Sequence, residues 1–272
     1  MTFSNFVGQF QFYRGIMSQL VDELSFVIKR DQGAKRLLTI ATPNPEQLVQ
    51  AFEDEKFAAT LHKFDYLLPD GVGLVWLSQT KPNIQTIKHK IAGVDLVSEL
   101  LRLSSANSWP VLIIGGKNYA GKTVKLEKTS GEQELSLKII EAAEKKIVSA
   151  QSLKGSIAWL EGYQNFVQPK PAEELRIREV VQQFQPKLVF VALGAPRQEI
   201  WIEANRLWLE QAGVKLVMAV GGTFDMLTGA LPRAPKFVRQ LGLEWLWRLI
   251  QQPGRIKRQL RLIKFVWLSL FG

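Results

Sequence analysis

Short polar side chains follow the predicted strands of this sequence, each near the point where an apolar run ends. Thr42 and Asn44 come after the first run, Asp70 after the second, Gln198 after a later one and Asp225 after the last. Hydroxyl, amide and carboxylate groups can hydrogen-bond a ligand or take up a proton. Because ligands bind at the carboxyl ends of strands in open α/β sheets, the sequence predicts a site there. The alternative is that the neighbouring glycines only make tight turns.

A second candidate site is the string Gly-Lys-Asn-Tyr-Ala-Gly-Lys-Thr from Gly116 to Thr123, which follows a predicted strand. It has the full pattern of a phosphate-binding P-loop. A nucleoside triphosphatase also needs an acid at the end of a second strand to hold magnesium. The later strands end in Leu193-Gly194 and Val220-Gly221, without such an acid. Three interpretations stay open: a P-loop NTPase, a plain turn, or a loop that touches a nucleotide diphosphate.

The elements that must position these residues are visible as short apolar runs alternating with helical patterns. Such alternation predicts a parallel sheet with helices on both faces. Asn44, Pro45 and Gln47 have the pattern of a helix N-cap, a first-turn proline and a capping box. The predicted strands span residues 36–41, 65–68, 110–114, 156–160, 187–193 and 215–220. The predicted helices span residues 12–29, 72–78, 94–103, 138–148, 172–185 and 198–211, with a further helix that begins at residue 45.

The positive charge of the chain is concentrated at its C-terminal end. The net charge is +10, and residues 232–272 hold nine basic residues and a single acid, Glu244. Large aliphatic and aromatic residues are interleaved with these bases, as in helices that lie at a membrane interface. The non-enzymatic alternative is a nucleic-acid-binding module, which generally carries its basic residues with exposed aromatics on a recognisable fold. We therefore expect an anionic membrane surface as a partner, no nucleic acid, and a division into residues 1–231 and 232–272. Packing of the tail between subunits of a homo-oligomer is the alternative.

Composition narrows the chemistry further. The chain has no cysteine, which excludes disulfides and thiolate metal sites, and its two histidines, His62 and His89, are not spaced as metal ligands. A metal held by carboxylates alone stays open. No apolar run approaches the length of about 18 residues that spans a bilayer, and the N-terminus lacks the pattern of a signal peptide.

Four segments, in order and at similar spacing, carry a family resemblance. They are Thr42-Pro-Asn-Pro45; Leu68-Pro-Asp-Gly-Val-Gly73 with Ile91-Ala-Gly-Val-Asp-Leu96; Leu193-Gly-Ala-Pro-Arg-Gln-Glu199; and Val220-Gly-Gly-Thr-Phe-Asp225 with the basic motifs up to Arg258. From about residue 36 to residue 260, the chain resembles the WecG/TagA/CpsF glycosyltransferase family. The resemblance implies a Rossmann-like α/β core, here with a basic amphipathic C-terminal helical appendage.

The resemblance also implies an activity. Such enzymes transfer a sugar, typically N-acetylmannosamine, with inversion from a UDP-sugar. The acceptor is typically N-acetylglucosamine on a polyprenyl diphosphate, and the products feed wall polymers, surface antigens or capsules. Neither a metal ion nor another cofactor is expected. The protein is expected in the cytoplasm, peripheral on the inner face of the cell membrane.

Particular residues receive roles from the resemblance. Asp70 matches the catalytic base; Thr42, Asn44 and Gln198 match the sugar site; Tyr163 and Asp225 match positions around the uridine; Arg248, Arg255 and Arg258 match basic residues that meet the diphosphate. Lys90 stands where the family usually has Arg, which keeps the charge but loses the bidentate fork.

Each of these residues also has a local explanation. Asp70, Asn44 and Asp225 could cap helices, Gln198 could be an exposed amide, Tyr163 could pack in the core, and the arginines could form a solvated face against lipid headgroups.

Overall fold

The computed structural model describes residues 1–29, 36–126, 135–142 and 156–271, except the side chains at positions 255, 257 and 258. In this part of the chain, eight strands form one sheet in the order β2-β1-β8-β7-β3-β6-β5-β4, and β4 alone is antiparallel to its neighbour. The strands are β1 (Leu38–Ala41), β2 (Tyr66–Leu67), β3 (Val111–Gly115), β4 (Thr123–Lys125), β5 (Ser136–Glu141), β6 (Ile157–Leu160), β7 (Leu188–Ala192) and β8 (Leu216–Ala219).

Helices cover both faces of the sheet. The described residues form α1 (Phe3–Gly8), α2 (Met17–Lys29), α3 (Pro45–Glu53), α4 (Glu55–Leu61), α5 (Val72–Thr80), α6 (Gly93–Asn107), α7 (Pro171–Phe184), α8 (Arg197–Gln211), α9 (Thr223–Leu227), α10 (Lys236–Gln240), α11 (Glu244–Gln251) and α12 (Ile256–Phe271). A 3-10 turn (Pro253–Arg255) joins the last two helices.

Two apolar clusters, one on each face, form the core. Along β3, Leu112 and Ile114 belong to one cluster and Val111 and Ile113 to the other, and all these residues are buried. Helices α1, α3, α4, α5, α7, α8 and α12 pack into the first cluster, and α2, α6 and α9 into the second. Burial on both sides explains why these strands are continuously apolar rather than alternating. The predicted Rossmann-like sheet with helices on both faces is confirmed.

The six predicted strands are present, with bounds that differ from the predicted ones by at most two residues. The predicted helix at residues 138–148 is wrong in its described part. Ser136–Glu141 forms β5, which pairs in parallel with β6 and antiparallel with β4. Leu137 and Ile139 face one apolar cluster and Ile140 the other. The alternation that produces this strand extends over only a few residues, and its partner strands come from elsewhere in the chain.

The last helix packs on the core. Phe265 and Leu268 of α12 are buried in the first cluster, and the ring of Phe265 meets that of Phe3 edge-on with centroids 5.6 Å apart. Lys264 pairs with Glu53 of α3 at 2.5 Å. The division at residues 231 and 232 stays a prediction, and the C-terminal helix shares its core with α1 and α3.

Candidate active site

Loops from adjacent strands meet at the carboxyl edge of the sheet. Thr42 follows β1, Gly221 follows β8, Gln198 follows β7 and Gly116 follows β3, and these four strands are neighbours at the centre of the sheet. Asp70 follows β2, which lies beside β1. Residues far apart in the sequence are therefore gathered at the edge where α/β sheets bind ligands.

Asp70 lies in the loop between β2 and α5 and is half-buried. It is not the N-cap of α5, because that position is occupied by Gly71, with φ 104°, which makes no side-chain cap hydrogen bond. The backbone N–H of Ile91 donates to the carbonyl of Pro69 at 2.9 Å, which holds this loop against the segment that carries Lys90. Within the described residues, the Asp70 carboxylate makes no hydrogen bond, so it is available to a substrate.

Charged residues from three segments surround this carboxylate. Burial raises the pKa of Asp70 to about 6, against the opposing effects of Arg248 and Lys90; Glu244 and Asp95 raise it further. The carboxylate is therefore largely ionised at pH 7 and more basic than an ordinary aspartate. Both properties suit a general base.

Thr42 and Asn44 lie in the short loop between β1 and α3. The side-chain oxygen of Asn44 accepts from the backbone N–H of Gln47 at 3.0 Å, and the Gln47 side chain accepts from the backbone N–H of Asn44 at 3.0 Å. The predicted capping box is confirmed. Thr42 lies against Gly93, where an added Cβ would be 3.3 Å from its hydroxyl. The Thr42 hydroxyl and the Asn44 amide nitrogen bond to no described residue, so a ligand can use both.

Gln198 is buried, so the alternative of an exposed amide is wrong. Its carbonyl oxygen accepts from the backbone N–H of Gly221 at 3.0 Å, and its amide donates to Oε1 of Glu199 at 2.8 Å. Gln47 also donates to that oxygen, at 3.5 Å. Glu199 thus ties the loops after β7 and β8 to the capping box of α3, and sequence reasoning missed it.

Glu199 carries a pH-dependent cost in stability. Burial raises its pKa to about 7, and its Oε2 has no hydrogen-bond partner in the part of the chain that the structure describes. The folded protein therefore holds this proton more tightly than the unfolded chain, so stability falls as the pH rises from the ordinary value near 4.5 through 7. We expect Glu199→Gln to unfold like the wild type at pH 4 and to be up to about 3 kcal/mol more stable at pH 8.5. Urea unfolding at the two pH values measures this difference.

The matched control is Glu55→Gln, because Glu55 is an exposed acid at the start of α4. It is expected to show no comparable gain. If Glu199→Gln were equally destabilising at both pH values, the buried carboxyl would not be titrating as described.

Asp225 lies in the first turn of α9, but the N-cap is Gly222 without a side-chain bond, so the alternative that Asp225 caps this helix is wrong. Its Oδ1 accepts from the hydroxyl of Tyr119 at 3.0 Å. Tyr119 is fully buried, and burial together with Asp225 raises the pKa of its phenol. Tyr119 is the second residue that sequence reasoning missed, since only the P-loop pattern of its segment was noticed.

The P-loop interpretation of Gly116–Thr123 is wrong. Thr123 begins strand β4, whereas a P-loop requires a helix there to present its N-terminus to phosphate. The backbone N–H of Gly121 donates to Ile139 at 2.9 Å and that of Lys122 to Tyr119 at 3.0 Å. These N–H groups are not available to cradle a phosphate.

Tyr163, unlike the other described candidates, contacts helices α7 and α8. Its hydroxyl donates to Glu174 of α7 and accepts from the indole N–H of Trp201 on α8, and its ring packs against the first apolar cluster. Phe224 and Met226, the neighbours of Asp225, pack on the other cluster. These contacts match the alternative of core packing; a contact of Tyr163 with uridine stays a prediction.

The C-terminal segment brings positive charge over the cleft. Arg248 of α11 lies 3.3 Å from the sulfur of Met226 and close enough to Asp70 to act on its pKa. Arg233 pairs with Asp95 at 2.6 Å. Lys90 contacts Glu244 at 3.6 Å and the carbonyl of Arg239 at 3.2 Å. The side chains of Arg255 and Arg258 lie outside the described residues, so their predicted contact with diphosphate is untested.

The family model described as the glycosyl transferase WecG/TagA/CpsF family matches residues 7–271. The chain belongs to this family. It is therefore a glycosyltransferase of a family that acts on lipid-linked sugars in the synthesis of cell wall polymers.

Two further observations describe this transferase. Among the described residues, no cluster of three or more Asp, Glu or His side chains is arranged to hold a metal ion. Likewise, none of the helices in the described ranges is both long and apolar enough to cross a membrane.

Proposed function

We propose that this transferase moves a sugar, N-acetylmannosamine or a related hexose, from a UDP-sugar to a polyprenyl-diphosphate-linked sugar, with inversion and without a metal ion or cofactor. The observation that carries the proposal is the Asp70 carboxylate, which bonds to none of the described residues, has a pKa raised to about 6 and lies near the cations Arg248 and Lys90. A base and positive charge in one cleft are what this displacement needs.

Each step of the reaction has a group to perform it. Asp70 takes the proton from an acceptor hydroxyl as that oxygen forms a bond to the anomeric carbon of the donor sugar. The bond between this carbon and the diphosphate oxygen breaks, and UDP leaves with the electron pair. The guanidinium of Arg248, which can form two parallel hydrogen bonds, stabilises the negative charge that develops on the diphosphate. Thr42 and Asn44 supply the hydroxyl and amide that hydrogen-bond the sugar.

A panel of donors tests this proposal. The protein is incubated with UDP-N-acetylmannosamine, UDP-N-acetylglucosamine or UDP-glucose and a soluble analogue of polyprenyl-diphosphate-N-acetylglucosamine, with and without EDTA. We expect UDP release and a disaccharide product with one donor, unchanged by EDTA. Absence of transfer with every donor, or complete loss with EDTA, would count against it. In parallel, ATP hydrolysis by the wild type and by Lys122→Ala is expected to be equally absent.

We also propose that the C-terminal helices dock on the inner face of the cell membrane. Helix α12 buries Phe265 and Leu268 against the core, yet its opposite side exposes Ile263 and Trp267, which are 68% and 58% accessible. Leu241 and Ile250 of the preceding segment are also exposed. Exposed apolar side chains among bases favour an anionic interface, where each Lys or Arg adds about 1 kcal/mol.

The double variant Ile263→Ser with Trp267→Ser tests the docking surface without opening the core. We expect about tenfold weaker binding to anionic vesicles, equivalent to about 1.4 kcal/mol, in a co-sedimentation assay. Leu207→Ser, an exposed leucine on α8, is the control and should bind normally. If the double variant instead dissociates an oligomer without altering vesicle binding, the exposed face is a subunit interface.

A further inference from the structure

An open groove of about 460 Å³ runs beside Asp70. One wall is a face of α5, formed by Val72, Val75, Trp76 and Gln79 at helical spacing, and the other is the segment Lys88-His89-Lys90. Its volume lies in the range of about 300–1,000 Å³ that small-ligand sites occupy. Of the substrate-binding residues predicted from the sequence, Lys90 lines the groove and the predicted sugar-site and uridine-site residues do not, so the groove is a separate part of the cleft.

The apolar wall of the groove is exposed. Val72 and Trp76 are 42% and 41% accessible although both are large apolar residues. Val72 also touches the turn between α10 and α11, where an added Cβ on Gly242 would lie 2.6 Å from its methyl group. Leu241 and Leu243 flank that glycine and are exposed as well. The apolar wall therefore continues into the C-terminal surface that we propose to dock on the membrane.

The opposite wall is basic. Lys88 and His89 are exposed, and neither bonds to another described residue. Lys90 differs, because Glu244 and a backbone carbonyl already occupy its ammonium group. A groove with one apolar wall and, on the other, a lysine and an imidazole that no described residue engages is complementary to a molecule that joins an anion to a hydrocarbon.

The groove adjoins the loop that carries Asp70, the proposed base. Val72 follows Asp70 by two residues, and the charge of Lys90 acts on the Asp70 carboxylate. The hydrogen bond from Ile91 to Pro69 joins the two walls next to this point. A ligand in the groove can thus present one end to Asp70 while its other end leaves along α5.

We propose that this groove binds the lipid-linked acceptor, with Lys88 and His89 holding its diphosphate and Val72 and Trp76 holding its first isoprene units. The assignment rests on the proposed function, since the acceptor hydroxyl must reach Asp70. In such an acceptor the diphosphate lies between the sugar and the lipid. A sugar at Asp70 would therefore leave the diphosphate and the first isoprene units between the basic wall and the apolar wall of the groove.

Two variants and three acceptors separate the contribution of the basic wall to acceptor binding from that of the apolar wall. Lys88→Met keeps the aliphatic stem and removes the charge, and Trp76→Ala removes the apolar contact. The acceptors are N-acetylglucosamine diphosphate esters of farnesol and of methanol, and the farnesyl glycoside without phosphate, all assayed in detergent so that membrane docking plays no part. We expect Lys88→Met to raise KM about tenfold for both diphosphates but not for the farnesyl glycoside. We expect Trp76→Ala to raise KM about tenfold for both farnesyl acceptors but not for the methyl diphosphate.

The control is Lys56→Met, an exposed lysine of α4 that does not line the groove. It should leave every KM unchanged, as should all three variants for the donor. If Lys88→Met and Trp76→Ala behave like Lys56→Met, or if they raise KM for the UDP-sugar instead, the groove does not bind the acceptor. If the proposed function itself is wrong, the experiment gives a different result, because the wild type then transfers no sugar.

Discussion

Replacing Asp70 by Asn is expected to lower kcat by about 10²- to 10⁴-fold, the usual contribution of a general base, while the protein stays folded. The amide has nearly the same shape as the carboxylate but cannot accept the acceptor proton. Sugar transfer measured at saturating donor and acceptor gives the loss in kcat. In the wild type, kcat/KM should fall about tenfold per pH unit below about pH 6, because protonation of Asp70 removes the base. The small residual activity of Asp70→Asn should lack this acid limb.

The same substitution is expected to stabilise the fold. Since the pKa of Asp70 is raised in the folded state, the native protein holds the proton more tightly, and stability falls as the pH rises from about 4 to about 6. At pH 7.5 the neutral Asn avoids this cost, which is about 2 kcal/mol. A higher melting temperature together with lost turnover would separate chemistry from misfolding. Asp22→Asn, the same change at an exposed residue of α2, is the control and should affect neither quantity. Full activity in Asp70→Asn would remove this residue from the mechanism.

Replacing Arg248 by Ala is expected to lower kcat/KM for the donor by about 10²- to 10³-fold, comparable to the loss of one preorganised group that stabilises developing charge. Arg248 comes from α11 and lies near both Met226 and Asp70. The loss of Arg248 also changes the pH dependence of kcat/KM, because its charge lowers the pKa of Asp70. The acid limb of kcat/KM should therefore move to higher pH in Arg248→Ala, and to lower pH in Glu244→Gln, where an acid that raises this pKa is removed.

Arg248→Lys distinguishes charge from geometry. Lysine restores the positive charge and should return the acid limb toward that of the wild type, but without the bidentate fork it should recover only part of the donor kinetics. Arg14→Ala, at an exposed arginine before α2, controls for a change in net charge. An Arg248→Ala variant with normal kinetics and an unshifted acid limb would show that this guanidinium faces neither the diphosphate nor the base.

Local sequence patterns predicted the structure correctly where a few neighbouring residues determine it. The capping box of Asn44 and Gln47 formed as predicted, because its hydrogen bonds join residues three apart. The helix predicted at residues 138–148 failed in its described part, because strand β5 depends on β6 and β4. The P-loop pattern failed for the same reason: its backbone N–H groups bond to Ile139 and Tyr119, which the pattern itself cannot reveal.

In the candidate site too, positions set by local motifs were predicted correctly, and contacts between distant residues were not. Motif order alone placed Asp70, Gln198 and Asp225 just past strand ends, and the structure has them there. Glu199 and Tyr119 were missed because their importance lies in partners distant in the chain, Gln47 for the first and Asp225 for the second. Glu199 adjoins Gln198 in the motif, but the polar residues Arg197 and Gln198 that precede it give no local sign that its side chain is buried.

The sequence by itself determined the fold class, the family motifs and the basic apolar character of the C-terminal segment, because apolar period, turn chemistry and charge are local properties of the chain. Only the tertiary structure decided that Arg248 lies beside Asp70, that Gln198 is buried on Glu199, and that an exposed groove leads away from the carboxylate. The physical reason is strand order. With β8 and β7 inserted between β1 and β3, residues from the beginning and the end of the chain share one edge of the sheet, and burial there sets the pKa values on which the proposed chemistry depends.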